Sequence, residues 1–378
     1  MKIFDLSIYK ETKTLFYIFD AYIKEQKISK ELFLQENGIT PSSYRKCRKG
    51  ELNIGKELIN KLSNCFNFKQ ESDDFIDELE EFVNKVYYSM YYKNYNSYDD
   101  DLNYLNNLLD KNYLLFPILK LLKLYLLISS NKNISNVKNE TLKLYNDIKN
   151  YADFYEFGLK KMYEIIYIAL EKDLNLSDLT KKYHDGSIYF VLASRCFEKK
   201  KYIEALYYAK LSKDILLEDG NFNRILYLNY TIMASLRYLH NYQDSYEMAF
   251  KQLRSLYSIN CNESFHFNAC NNNIAVCLLA LKRYDDIIKT IYQKESVTLI
   301  EVLCILISLY VTCKHDLYDD YLHDLSVDEL PDKYYICIKT IDSFLKREKT
   351  ALKEINNLKI YDSVDSIVEI LKNIEKDF

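Results

Sequence analysis

The sequence predicts an all-α protein, with a small helical bundle at the N-terminus and stacked helical hairpins over most of the rest. Three observations carry this expectation. The 378 residues include only 6 Gly and 3 Pro, which leaves little of the punctuation that tight β-hairpins, phosphate loops or irregular catalytic loops require. Apolar residues recur at helical spacing from about Lys10 onward. Related segments return after 40 and then 42 residues, a period that belongs to stacked helical hairpins. At roughly 100–200 residues per domain, the length favours two or three domains.

The formal charge of -4 conceals a division along the chain. Residues 1–70 carry 13 Lys/Arg against 8 Asp/Glu, a local +5, and the remainder carries 38 against 47, or -9. A basic head on an acidic body suits a phosphate-binding module carried by a body that repels phosphates. The abundance of Tyr, at 37 with no Trp, is as consistent with an AT-rich genome as with any function. The nine cysteines, Cys47, Cys65, Cys196, Cys261, Cys270, Cys277, Cys304, Cys313 and Cys337, form no C-x-x-C pair and have no histidine at zinc-like spacing. They read as reduced, mostly buried small hydrophobes, which implies a cytoplasmic protein. The opening MKIFDLSIYKETK has acidic residues in its first apolar stretch and no small-residue cleavage site, unlike a secretory signal. The most apolar run, Tyr113–Ile128, is interrupted by Lys120 and Lys123 and falls short of the roughly 20 residues that span a bilayer. It reads as a buried helix with one lysine edge, and no membrane partner is expected.

The head divides into four helices. In the first, from about Lys10, Leu15, Ile18, Phe19, Tyr22 and Ile23 share one face. Ser29 caps a second, with Leu32 and Phe33 inward. Asn37-Gly38 follows, where glycine allows the left-handed turn between two closely spaced helices. Thr40 caps the third helix with Pro41 in its first turn, where a missing N–H costs nothing. This third helix, Pro41 to Lys49, is short, basic and closed by Gly50. Tyr44 and Cys47 face inward and leave Ser42, Ser43, Arg45, Lys46 and Lys49 outside, hydroxyls and cations suited to base edges and phosphates of double-stranded DNA. A fourth helix, about Lys56–Phe66, closes the core with Leu58, Ile59, Leu62 and Phe66.

The segment Ile28 to Gly50, ISKELFLQENGITPSSYRKCRKG, resembles the repressor-type helix-turn-helix family of phage repressors. Gly38, Ile39, Thr40 and Gly50 fall at that family's glycine, apolar, cap and closing positions, whereas Leu34 stands where a small residue is usual and Asn37 where an apolar one is. A docking bundle with a solvated charged face is the alternative for residues 1–70. The turn glycine, double cap, basic third helix and charge division together favour DNA binding.

A helix leads out of the head from Phe75, and the Asn/Tyr/Asp-rich stretch Lys93–Asp101 reads as a loosely structured joint. The expected domains are therefore 1–70, the DNA-binding head; 71–100, a linker helix and joint; and 101–378, a repeat domain for ligand sensing and dimerisation. In the last, Lys201-Tyr202-Ile203-Glu204-Ala205, Asn241-Tyr242-Gln243-Asp244-Ser245 and Arg283-Tyr284-Asp285-Asp286-Ile287 each begin a new amphipathic helix, with a fainter fourth unit around Asp316–Leu325.

These units resemble degenerate tetratricopeptide repeats. Tyr189, Leu192, Ala193, Tyr202, Ala205 and Ala209 match the family's aromatic, apolar and small positions in the first unit; Tyr242, Ser245 and Ala249 do so in the second, and Ala275 and Tyr284 in the third. Met233 and Ile287 replace small residues, and no unit ends in the family's proline. The resemblance implies a right-handed α-solenoid whose first helices line a concave groove. In that register the groove face holds Phe190 and Ser194, then Tyr227, Tyr230 and Arg237, then Asn272, Asn273 and Val276. Asparagine amides can bond both N–H and C=O of an extended peptide, and tyrosines supply apolar walls with polar tips. The triplet Asn271-Asn272-Asn273 reads equally as ordinary polar surface.

In order of domains and length the chain resembles the peptide-pheromone-responsive regulators of Gram-positive bacteria, the Rgg, PlcR and PrgX group. That resemblance implies a cytoplasmic homodimeric transcription regulator acting in quorum sensing, whose repeat surface binds a short signalling peptide and alters its grip on DNA. A tetratricopeptide adaptor that binds or inhibits a partner protein, as in the Rap group, is the rival, and it gives no reason for a basic exposed third helix. Enzyme signatures are missing: there is no G-x-G-x-x-G, P-loop, G-x-S-x-G or H-E-x-x-H, and the five histidines share no metal spacing. Acidic pairs such as Asp285-Asp286 read as solvated helix starts. No catalysis, cofactor or metal is expected.

Overall fold

In a computed structural model the chain is described at residues 4–51, 55–92, 97–129, 134–171, 184–261, 263–292, 294, 297–325, 330–348, 354–355, 358 and 362–375. These residues are all-α: nineteen α-helices, one short 3-10 helix, and no strand beyond an isolated bridge between Lys69 and Tyr113. None of the described helices is long and apolar enough to cross a membrane. The chain divides into two compact units, Met1–Arg195 with Asp214–Arg224, and Cys196–Lys213 with Ile225–Phe378.

The first unit opens with a 3-10 turn at Ser7–Lys10, then α1 (Thr12–Glu25), α2 (Lys30–Glu36), α3 (Pro41–Arg48) and α4 (Gly55–Cys65). α1 packs on both α3 and α4. Phe16, Ile18 and Phe19 of α1 are buried, as are Tyr44 and Cys47 of α3 and Ile59 and Leu62 of α4. Phe16 meets Tyr44 edge-on at 5.0 Å, and Phe33 stacks on Phe66 at 4.8 Å. Such pairs add to simple area burial.

The second helix differs from expectation. Leu32 is 58% exposed, and the inward pair is Phe33 and Leu34. A seven-residue helix offers two turns from which to judge its face, and Leu34 occupies the interior. Ser29 is the N-cap by position without a capping side-chain bond. Gly38 at φ +60° makes the turn into α3, a conformation that strains any other side chain at this place.

α5 (Asp73–Tyr91) is capped by the Ser72 hydroxyl, which accepts from Phe75 N–H. The stretch expected to be a loose joint is in part helical. α6 (Tyr98–Leu109) begins inside it, with Asp99, Asp100 and Asp101 in its first turn, where the helix dipole favours negative charge. Asp101 is buried and pairs with Lys85 at 3.1 Å. Residues 93–96 of that stretch lie outside the described set. α7 (Phe116–Ser129) is the apolar run read as a buried helix. It packs against α5, α6, α8 (Ile134–Lys149) and α9 (Phe157–Leu170), and its lysine edge pairs with Asp147 and Glu140. α10 (Gly186–Glu198), α11 (Tyr202–Glu218) and α12 (Phe222–Tyr238) each have residues in both units.

The second unit continues with α13 (Tyr242–Ser258), α14 (Ser264–Ala280), α15 (Tyr284–Ile291), α16 (Leu299–Val311), α17 (His315–Asp324), α18 (Asp332–Leu345) and α19 (Asp362–Glu375). α13 lies along α14, which also packs on α15, α16 and α19; α16 packs on α15, α17, α18 and α19. Every residue from Leu299 to Leu309 is buried, so α16 is apolar all round for a physical reason. Ala205, Ala209, Ser245, Ala249 and Ala275, the small residues of the repeating pattern, are all fully buried.

The repeating segments start helices where the sequence places them: α11 at Tyr202, α13 at Tyr242, α15 at Tyr284, and α17 at His315 for the fainter unit. Each start follows the same turn. Lys200, His240, Lys282 and Cys313 all take φ between +57° and +59°. The next residue's N–H closes on the carbonyl five positions back: Lys201 on Cys196, Asn241 on Leu236, Arg283 on Leu278 and Lys314 on Leu309. This is the Schellman helix ending, usually made with glycine. Left-handed backbone at a residue with a Cβ costs roughly 1–2 kcal/mol, against roughly 0.5–1 kcal/mol for the extra freedom glycine loses on folding. Lys282→Gly is therefore expected to stabilise the protein by up to about 1 kcal/mol, seen as a higher urea midpoint; a lower midpoint would contradict the strain.

Candidate functional site

Two places gather the residues singled out from the sequence. The first is α3. Thr40 takes extended backbone and its Oγ1 accepts from Ser43 N–H at 3.1 Å, with Pro41 following as the first helical residue. Tyr44 and Cys47 point into the bundle. Tyr44 donates to Asp20 at 2.9 Å, and burial together with Asp20 raises its phenol far above the ordinary value, so it stays a donor. Asp20 also pairs with Lys30 and, at 2.9 Å, with Arg48, whose guanidinium lies over the Tyr17 ring. One carboxylate thus ties α3 to α1 and α2.

That arrangement leaves Ser42, Arg45, Lys46 and Lys49 exposed, with Ser43 half-buried at the cap. Among the described residues no carboxylate pairs with Arg45 or Lys46, while Lys49 approaches Glu51 at 3.8 Å. An eight-residue helix with two anchored residues and an outward basic row has the chemistry to contact phosphates and base edges. The residue that sequence reasoning passed over is Arg48. Helical spacing left it off the outward face, and its ion pair and ring contact give it the anchoring role that spacing could not.

The second place is a cavity of about 310 Å³ in the second unit, between α12 and α14. Four of the residues expected to face a peptide, Tyr230, Arg237, Asn272 and Asn273, line it together. Asn268 adds a further amide, and Met233, Ala234, Phe265 and Ala269 supply the apolar wall. The missed lining residues had a signal. Tyr230, Met233, Ala234 and Arg237 fall at i, i+3, i+4 and i+7, as do Phe265, Asn268, Ala269 and Asn272, the stripe that marks one helix face.

The remaining expected residues lie elsewhere. Val276 is fully buried in the hydrophobic core and offers no surface to a ligand. Tyr227 is half-buried beside the cavity wall, stacked on Phe265 with ring centroids 6.0 Å apart. Phe190 and Ser194 belong to the first unit, where Phe190 lies under the Arg224 guanidinium at 5.0 Å and the Ser194 hydroxyl donates to the Phe190 carbonyl. Asn273 is only partly available. Its Nδ2 donates to Ser245 Oγ at 2.8 Å and to the Ser245 carbonyl at 3.2 Å, and Ser245 Oγ donates to the Met233 carbonyl at 2.8 Å. A buried polar chain therefore joins α12, α13 and α14, and Asn273 is a structural link as well as a wall. Asn272 accepts from the Thr298 hydroxyl through Oδ1, which leaves its amide hydrogens for a ligand.

Beside the cavity, His266 is buried with Tyr230 at 2.6 Å from Nδ1 and Glu263 at 3.0 Å from Nε2. A carboxylate only accepts, so Nε2 carries the proton and Tyr230 donates to Nδ1. Burial pushes the imidazole below its ordinary value of 6.5, with Glu263 opposing. The neutral ring's contribution to stability is then fully present above about pH 6.5 and is lost as pH falls toward the lowered value, because the unfolded chain takes up the proton first. The melting temperature is expected to fall from pH 7 to pH 5, and His266→Gln to flatten that fall; equal slopes would overturn the assignment.

Among the described residues no cluster of three or more His, Cys, Asp or Glu could hold a metal ion. All nine cysteines are free, six of them buried. Compared with known proteins, the chain matches no family model, no curated protein and no solved structure.

Proposed function

We propose that the chain is a cytoplasmic DNA-binding transcriptional regulator of the helix-turn-helix plus tetratricopeptide-like solenoid type, in which a homodimer reads DNA through α3 and the cavity between α12 and α14 takes a short signalling peptide. The observation that carries the DNA reading is the outward row Ser42, Arg45, Lys46 and Lys49 on a helix capped by Thr40 and held from behind by Tyr44 and Cys47. Two such helices in a symmetric dimer would enter successive major grooves about 34 Å apart. Support for the ligand reading is the convergence of Tyr230, Arg237, Asn268 and Asn272 on one concavity with an apolar wall.

The test is genomic DNA pull-down with the purified full chain at two salt concentrations. Counterion release weakens phosphate contacts steeply with salt, whereas base contacts keep their discrimination. Recovery of a discrete, pseudo-palindromic site at both concentrations is the expected result. Recovery that is sequence-independent and erased by salt would replace this function with that of a partner-binding adaptor.

A further inference from the structure

We propose that Arg237 is the recognition group for a carboxylate, so that the ligand of the cavity between α12 and α14 enters with a terminal carboxyl group against this guanidinium. The inference rests on the ligand-binding reading above and names the end of the ligand that the cavity takes.

Arg237 is only 7% exposed, and a guanidinium does not shed its proton in a protein. Buried charges are normally matched by an opposite charge or a full set of hydrogen bonds. Among the described residues Arg237 has neither: no carboxylate pairs with it, its Nε meets no acceptor, and the Tyr238 ring lies 5.3 Å from its guanidinium carbon. Arg224, equally buried in the first unit, also has an Nε without an acceptor, but its two terminal nitrogens are satisfied. It donates to Ser187 Oγ at 2.9 Å and to the Met90 carbonyl at 3.0 Å, and lies against the rings of Phe190 and Tyr91.

The cavity completes what Arg237 lacks. No aspartate or glutamate lines it, and its other polar groups are Tyr230 and the amides of Asn268, Asn272 and Asn273, the last already engaged with Ser245. Its volume of about 310 Å³ is at the small end for ligand sites, which run to roughly 1,000 Å³, so it holds the end of a chain and not its length. The planar fork of arginine matches a planar carboxylate through two parallel bonds. A single buried cation neutralises one carboxylate and would leave a phosphate dianion uncompensated. Met233, Ala234, Phe265 and Ala269 then form an apolar seat for the last side chain.

The experiment follows arginine Nε–H resonances in the full chain labelled with 15N-arginine, with the Arg237 signal identified by its loss in Arg237→Met. N-acetyl-leucine, a carboxylate with one apolar side chain, is expected to shift that signal, whereas N-acetyl-leucinamide and inorganic phosphate at the same concentration leave it in place. An equal shift with the amide, or a larger one with phosphate, overturns the carboxylate assignment. In parallel, a mixed heptapeptide library with free carboxyl ends and the same library amidated are passed over immobilised protein. Free acids are expected to be retained about tenfold to hundredfold better, as one charge-assisted bidentate pair predicts, and Arg237→Met is expected to erase the preference. Arg237→Met should melt no lower than the parent, because it removes an uncompensated buried charge; a lower melting temperature refutes the premise. Failures separate cleanly. Acids and amides retained alike, with a silent Arg237 signal, reject this inference and leave peptide binding standing. An Arg237 signal moved by N-acetyl-leucine, with neither library retained, supports the carboxylate site and rejects the peptide.

Discussion

Arg45→Ala combined with Lys46→Ala is expected to abolish sequence-specific binding of duplex DNA while the helical content and melting temperature of the protein stay unchanged. Both side chains are exposed on α3, and no carboxylate among the described residues holds them, so the fold loses little with them. A bidentate arginine contact to a base carries about 1–3 kcal/mol of discrimination, and each lost phosphate contact lowers the salt dependence of binding by about one charge. Loss of both groups should therefore weaken a specific site roughly 100-fold or more and flatten its salt slope. Fluorescence anisotropy on the recovered site at two salt concentrations measures both quantities. Unchanged affinity in the double variant would remove α3 from the interface. Arg48→Ala is the control, since Arg48 is held by Asp20 and Tyr17; its loss should touch stability by less than about 1 kcal/mol, as for a half-exposed ion pair.

Asn273→Ala is expected to cost about 2–3 kcal/mol of stability, more than loss of a ligand contact would suggest. The substitution removes two buried hydrogen bonds to Ser245, whose hydroxyl still donates to the Met233 carbonyl but loses its donor, and each lost bond costs about 0.5–1.5 kcal/mol before the small void is counted. Ser245→Ala alone should also destabilise, but far less in the Asn273→Ala background, because the two groups share one interaction. Urea unfolding of the four proteins forms the cycle. Additive losses would mean that the chain from Met233 through Ser245 to Asn273 is not an energetic unit. Asn272→Ala, one residue away, should cost less, because the Thr298 hydroxyl that it strands keeps the Glu301 carboxylate 3.1 Å away as an acceptor.

The helical class and the outline of the head were legible because strong local rules acted without competition. Thr40, Pro41 and Gly38 each permit few alternatives, and Tyr44 and Cys47 are three apart on a helix whose other positions are polar. Repeat starts were legible because Tyr202, Tyr242 and Tyr284 recur at nearly constant spacing, with buried small residues behind the first two and buried Ile287 behind the third. The face of α2 was not legible: in two turns, Leu32, Phe33 and Leu34 are all apolar, and packing against the rest of the bundle decides which two are covered. The helical part of the supposed joint was hidden by three aspartates, which read as loop residues until the N-terminus of α6 gives them a dipole to oppose. At the cavity, side-chain type pointed to Tyr230, Arg237 and Asn272. It could not show that Val276, one turn beyond Asn272, passes under the core, or that Asn273 spends its amide on Ser245.

The left-handed turns that end the repeating helices have a practical consequence. Lys200, His240, Lys282 and Cys313 lie far apart in the sequence, in turns built alike, and none of them lines the α12–α14 cavity or belongs to α3. Changes at sites that share no partners add, so glycine introduced at those junctions that do not touch one another should accumulate into a sturdier background. Variants that cost stability, Asn273→Ala above all, could then be assayed for ligand and DNA affinity in a protein that remains folded.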